Sequence, residues 1–269
     1  MTGARSTGLL WPTAATLAAL AVLIALGAWQ WQRKAWKEEL IATIASRAAE
    51  PPLPPAEASV LKCSVADDTG LSQSCDFRHL KVRGTFNNIG ERHVFAGRPP
   101  GAAGQEPGYW IFTPFQPEGS AGDGAIFVNR GFVPGARKAA ETRREGQIEG
   151  PVEIEAQVRS RQPRTWFDGT NDAARNTYYV RDPVELGAPP AGKQRDVPVL
   201  SADGSRAFYL ELLSPPPPGG LPQPLAGHLE LPNRHLEYAL TWWGLAMTLV
   251  AVYGAFAVGR WRERQPHAG

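Results

Sequence analysis

Cysteine is nearly absent: the 269 residues contain two, Cys63 and Cys75. Their spacing fits neither a CxxC redox pair nor a zinc knuckle, and no CxxCH occurs, which excludes covalent haem attachment. The two thiols either close a short disulfide loop, worth about 3 kcal/mol in the chain-entropy model, or stay free. An excess of one charge is missing too. Lys and Arg total 28 against 26 Asp and Glu, a net +2, and the basic residues gather in no stripe. No field for binding nucleic acid follows. Catalytic signatures are missing as well. HExxH and GxSxG do not occur, and Gly101–Gly104 lacks the GK[ST] ending of a phosphate loop. His79, His93 and His228 are scattered without metal-ligand spacing. No nucleophile is paired with a base, and the chain reads as a non-enzyme.

What is there begins with two long apolar runs. Tyr238 to Val258 holds twenty-one residues without a charge. At 1.5 Å rise per residue that spans roughly 30 Å, the thickness of a bilayer's hydrocarbon core. Trp242 and Trp243 near one end and Trp261 past the other suit the two interfaces. A buried core helix of this length without a polar face is the weaker alternative. Leu9 to Gln32 is also uncharged, with Pro12 near its start, where a helix tolerates it. It is longer than a signal peptide's apolar region, and Trp29 and Trp31 follow the one tempting cleavage site, so it reads as a retained anchor. Small residues at Ala14/Ala18, Ala15/Ala19 and Ala21/Ala25 would let a second helix approach, with Ala251 and Ala255 as its matching face.

Beyond the first run, Trp29, Arg33, Trp36, Leu40 and Ile44 keep helical spacing as far as the prolines at Pro51–Pro55, which suggests a stalk. The middle is built for strands and turns. Gly (28) and Pro (25) make up about a fifth of the chain. Arg78–Phe86 and Val152–Arg159 alternate apolar and polar residues. Arg92–Ala96, Tyr109–Phe115, Ala125–Asn129, Thr177–Val180 and Ala207–Leu212 are further strand candidates. Asn129–Gly131 reads as a strand-end turn, and Asp168, Asp172, Arg175 and Asn176, after Trp166 and Phe167, as turn formers. Pro215–Pro218 favour extended polyproline geometry in a strap over Leu213–Pro232. The predicted class is a membrane protein whose two transmembrane α-helices flank a mainly antiparallel β domain, a barrel or a sandwich.

Asn233 is the expected N-cap of the second helix, which places Arg234 and His235 in its first turn at the water–lipid boundary. A helix N-terminus disfavours imidazolium, and a neutral imidazole is the form that ligates metal, haem iron included. From spacing alone, an interfacial histidine bonded to headgroups or backbone is the favoured reading. For orientation, Arg260, Arg262 and Arg264 outweigh Glu263 after the second run and hold that end in the cytoplasm. Arg33, Lys34 and Lys37 after the first run oppose this, but long segments translocate largely regardless of charge. Two spans then put both ends inside and the middle outside.

Seven stretches carry a resemblance. They are WQWQR at Trp29–Arg33, Trp36-Lys37, GRP at Gly97–Pro99, GYWIFTP at Gly108–Pro114, VNRGFVP at Val128–Pro134, RNTYYVRD at Arg175–Asp182 and NRHLEYALTW at Asn233–Trp242. In this order they resemble the Surfeit-locus (Surf) family of cytochrome c oxidase assembly factors. Residues 51–75 and 187–206 carry no matching motif. The resemblance implies a multi-pass protein of the cell inner membrane that assists the building of a haem–copper oxidase. It implies transient binding of haem a and help with its insertion into subunit I. The position matching the family's haem-ligating histidine is His235, which would contact haem iron and no other metal. Arg234 or Arg33 would suit a propionate, because arginine forms charge-assisted bonds to carboxylates. Expected partners are oxidase subunit I, the haem a synthesis machinery and the lipid bilayer. The alternative function is a scaffold that holds an oxidase subunit and no cofactor.

On this reading residues 1–8 form a cytoplasmic N-terminus, 9–32 the first transmembrane helix and 33–50 the stalk. Residues 51–212 form a periplasmic β-rich domain and 213–232 a Pro-rich linker. Residues 233–258 form the second transmembrane helix with its polar lead-in, and 259–269 a cytoplasmic tail.

Overall fold

A computed structural model describes residues 8–53, 76–97, 99, 106–119, 125–162, 164–188, 208–224 and 233–263. Cys63, Cys75, Gly101–Gly104, His228 and Arg264 lie outside the described residues. The chain divides into two compact units. One joins Met1–Thr43 to Leu231–Gly269, and the other is Ile44–Glu230.

The first unit is a pair of antiparallel helices, α1 (Leu10–Ala49, whose last turn belongs to the second unit) and α3 (His235–Arg262). Both are long and apolar enough to cross a membrane, and only 6% of the apolar window of each is buried inside the protein. A soluble core helix would hide such residues. Here Leu17, Val22, Ile24, Leu240, Met247 and Val252 all face outward, as lipid contact requires. This is a membrane protein with two candidate spans.

The helices meet along a narrow seam. On α1 the shielded positions include Thr13, Thr16, Leu20, Leu23, Gly27 and Gln30; on α3 they include His235, Ala239, Trp242, Ala246, Leu249 and Tyr253. Both sets advance by alternating steps of three and four, the spacing of a left-handed helix pair. Gly27 marks the closest approach, because a Cβ there would overlap the Trp243 indole. The Trp31 and Trp243 rings lie 6.1 Å apart, and the Thr13 and Tyr253 hydroxyls are hydrogen-bonded. The alanine faces expected to mediate the contact do not: Ala14, Ala18, Ala251 and Ala255 are exposed. Small residues abound on both helices, so their spacing alone does not select a face. Ala239 and Ala246, on the seam itself, are the buried ones.

The second unit is a small barrel. Among the described residues its strands are β1 (His79–Phe86), β2 (Arg92–Ala96), β3 (Gly108–Pro117), β4 (Ile126–Pro134), β5 (Pro151–Ser160) and β6 (Phe208–Ser214). They follow the order β1-β5-β6-β4-β3-β2, and β1 also pairs with β3. Gly84–Phe86 against Phe115–Pro117 therefore closes five strands into a ring, with β2 attached to the other end of β3. Only β4 and β6 run parallel.

Alternation in β1 and β5 points Leu80, Val82, Phe86, Ile154, Ala156 and Val158 into the ring. They meet Phe115 of β3, Ile126 and Val128 of β4, and Phe208, Leu210 and Leu212 of β6. β3, β4 and β6 are buried on the outer face too. Trp110, Phe112, Phe127 and Tyr209 form a second core under Val94, Tyr178 and Leu186, with Leu186 in the short helix α2 (Pro183–Leu186). Two-sided burial explains the nearly unbroken apolar run of β3.

Three local expectations fail. Thr177–Val180 is not a strand. Asp172 and Thr177 exchange backbone hydrogen bonds around Asn176, whose φ is 48°, and this tight turn leaves Tyr178 a single bridge to Val94. Asn129–Gly131 is not a strand-end turn but the interior of β4, where the register against β3 shifts. Gly131 has φ 127°, and a Cβ there would strike the Gln223 carbonyl; Gln223 and Phe132 exchange backbone hydrogen bonds of 2.8 Å. The proline strap is not extended throughout, because Pro218–Gly220 form a 3-10 turn.

Candidate functional site

α3 begins one residue later than expected. The N-cap is Arg234, with no side-chain capping bond, and His235 is the first helical residue. Asn233 does not cap, and among the described residues its buried Oδ1 has no hydrogen-bond partner. His235 still sits at the helix end, beside backbone N–H groups that have no intrahelical partner.

The His235 ring turns into the seam. Its Nδ1 lies 2.7 Å from Gln30 Oε1, across 205 residues of chain. With the amide oxygen as acceptor, Nδ1 is the donor, and a neutral ring then presents its lone pair on Nε2. Among the described residues the ring has no other hydrogen bond. Nε2 is the nitrogen through which His235 would hold a haem iron, with Nδ1 tied to an acceptor. The surroundings suit a flat apolar ligand with acidic edges. Trp31 and Trp243 lie on the same helix pair, and Leu236 beside His235 is exposed. Arg234 is exposed, with only a loose 3.8 Å pairing to Glu237, and the Arg33 guanidinium stacks 4.2 Å over Trp36. Among the described residues no three His, Cys, Asp or Glu side chains converge as a chelating group. An imidazole that binds a haem iron axially needs no such group.

The barrel unit holds a different constellation that sequence reading missed. Glu91, just ahead of β2, is buried and accepts from both terminal nitrogens of Arg143; the Nη1–Oε2 distance is 2.9 Å. His93 Nε2 donates to Glu91 Oε1 at 2.6 Å. Burial alone would push the Glu91 carboxyl up. The hydrogen bonds from His93 and Arg143, and their charges, outweigh it and hold the group down at about 2. Fully buried Arg130 lies 4.6 Å over the Phe86 ring and donates to Asn88 Oδ1 and the Gly146 carbonyl. Burial lowers its pKa to about 10, against the opposing pull of Glu91.

This cluster is a brace. Asn176 Nδ2 donates to the Glu91 carbonyl at 2.9 Å, Arg181 lies 4.8 Å over Trp110, and Asp182 caps α2 through Val184 N. VNRGFVP and RNTYYVRD thus converge on one region and hold it together. Asp168 and Asp172 form local turns, with Asp168 Oδ2 accepting from Thr165 N at 2.6 Å and Asp172 Oδ1 from Arg175 N at 3.0 Å. His79 lies 3.6 Å from Glu155 on the barrel's outer side.

Comparison with known proteins then decides the family. The model of the SURF1 family matches residues 17–247, which take in Gln30, the whole barrel unit and His235. The chain belongs to the SURF1 family. It is 34% identical to Surfeit locus protein 1 of Mus musculus, over 84% of this chain and 69% of that protein. It is 33% identical to Surfeit locus protein 1 of Homo sapiens, over 82% and 69% respectively. A SURF1-like protein of Monosiga brevicollis is 31% identical over 93% of this chain and 87% of its own length. All of the motifs that resembled the Surf family lie within the SURF1 match.

Proposed function

We propose that this chain is an assembly factor for haem–copper cytochrome c oxidase that holds haem a through His235 Nε2 and assists its insertion into subunit I. Membership of the SURF1 family supports the role in cytochrome c oxidase assembly. The observation that carries the haem reading is the 2.7 Å bond from His235 Nδ1 to Gln30 Oε1, which leaves the Nε2 lone pair for iron. Bound haem a would supply the iron and the formyl- and isoprenoid-bearing macrocycle that subunit I requires. The chain's own residues would do the rest: His235 holds, the indoles and lipid cover the apolar face, and Arg234 or Arg33 neutralises a propionate. One axial ligand suits a carrier, because release then costs one bond.

In this reading the two helices span the cell inner membrane with both termini cytoplasmic and the barrel unit periplasmic. Subunit I is the client and the haem a synthesis machinery the donor. The test is the absorbance of the full chain purified from cells that make haem a. Wild type carries a haem band, and His235→Ala inserts normally without it. An unchanged band in the variant removes His235 from the site.

A second reading, a cofactor-free scaffold for an oxidase subunit, draws support from Trp166 and Phe167. These are 94% and 71% exposed on the barrel unit and packed edge-to-face at 5.4 Å. An exposed aromatic pair of this kind suits protein contact. The scaffold predicts co-purification of subunit I with no haem even when haem a is abundant.

A further inference from the structure

We propose that Gln30 is the positioning residue of the haem site: it fixes the tautomer and aim of the His235 ring while strengthening the iron bond less than a carboxylate would. This rests on the reading of His235 as the axial ligand. A neutral imidazole has two tautomers, and only the one protonated at Nδ1 presents Nε2 to a metal. The Oε1 of Gln30 at 2.7 Å selects that tautomer. It also anchors the ring, because Gln30 lies on the shielded seam of α1, three residues beyond the close contact of Gly27 with Trp243. The identity of the acceptor matters. A carboxylate at this position would draw the Nδ1 proton and raise the basicity of Nε2, giving a firm ligand. A neutral amide orients equally well and donates less, which suits cargo that must leave. Among the described residues no charged side chain is bonded to the ring: Arg234 and Glu237 pair loosely with each other at 3.8 Å, and Lys34 pairs with Glu38 at 2.7 Å.

The test titrates ferrous haem a into the full chain in detergent and compares wild type, Gln30→Leu, Gln30→Ala, Gln30→Glu and His235→Ala. It reads the dissociation constant and the iron–histidine stretching band in resonance Raman. Removal of an outer-shell partner of a metal-bound histidine weakens binding by about 10–100-fold. Gln30→Leu and Gln30→Ala are expected to weaken haem binding within that range, with a lower-frequency, broadened band. Gln30→Glu restores the acceptor and is expected to bind at least as tightly as wild type, with the band moved up. Helix content and monodispersity check folding, and the alanine variant stands in if the leucine variant misfolds. If both apolar variants bind within twofold of wild type and keep its band while His235→Ala binds nothing, Gln30 has no positioning role. If His235→Ala binds haem a like wild type, the functional reading itself fails, a separate outcome.

Discussion

The helix pair and the barrel solve opposite problems. In the pair the apolar residues face outward, and the polar side chains along the seam work singly: one hydroxyl contact between Thr13 and Tyr253, one amide–imidazole contact between Gln30 and His235. In the barrel the apolar residues face inward, and polar groups work as networks, with Glu91 bonded to Arg143 and His93 and its backbone to Asn176. A network tolerates little trimming but positions many segments at once. A lone contact bears little on stability and is free to serve a ligand. The motifs of the barrel accordingly maintain shape, whereas the NRHLEYALTW stretch carries the proposed chemistry.

The sharpest way to break this contrast is Arg143→Ala. Removing one member of a buried ion pair typically costs about 3–5 kcal/mol, and denaturant unfolding of the barrel should show a loss of that order. The haem band should survive under conditions where the chain remains folded. Acid gives the next effect. Glu91 ionises at about 2 when folded and 4.5 otherwise. A lowered folded value means its stabilisation is fully present above about pH 4.5 and is lost as pH falls toward 2. Glu91→Gln should flatten that limb of the stability–pH curve.

In the helix pair, Gly27→Leu overpacks the seam, for which about 1–3 kcal/mol is typical. The expected outcome is a shift in Trp243 emission and weakened haem retention with the barrel's unfolding midpoint unchanged. Smallest of all is Trp166→Ala. A side chain 94% exposed should change stability by less than about 0.5 kcal/mol. If the scaffold reading holds, the same variant loses subunit I on co-purification.

Much of this fold is legible in local pattern. Run length identifies α1 and α3, and alternation identifies β1 and β5, because each signal needs only neighbours in sequence. Closure of the barrel is not local: it depends on Gly84–Phe86 finding Phe115–Pro117 and on the parallel pairing of β4 with β6. Arg130 misleads for a physical reason. A polar triplet with glycine resembles a turn until the Phe86 ring, Asn88 and the Gly146 carbonyl are seen to receive the guanidinium inside the barrel. At the site, His235 is visible through the motif around it. Gln30 is not, since a glutamine near the end of an apolar run gives no sign of a partner 205 residues away. The N-cap is Arg234 rather than Asn233, and neither side chain makes a capping bond.

Among the described residues, the five strands whose first and last members are stitched together leave no free edge within the ring on which a visiting polypeptide could lay another strand. Even the appended β2 is engaged along its far side, where Tyr178 exchanges hydrogen bonds with the His93 and Phe95 backbones. Along the closed ring a client would therefore be met by side chains rather than by an added strand.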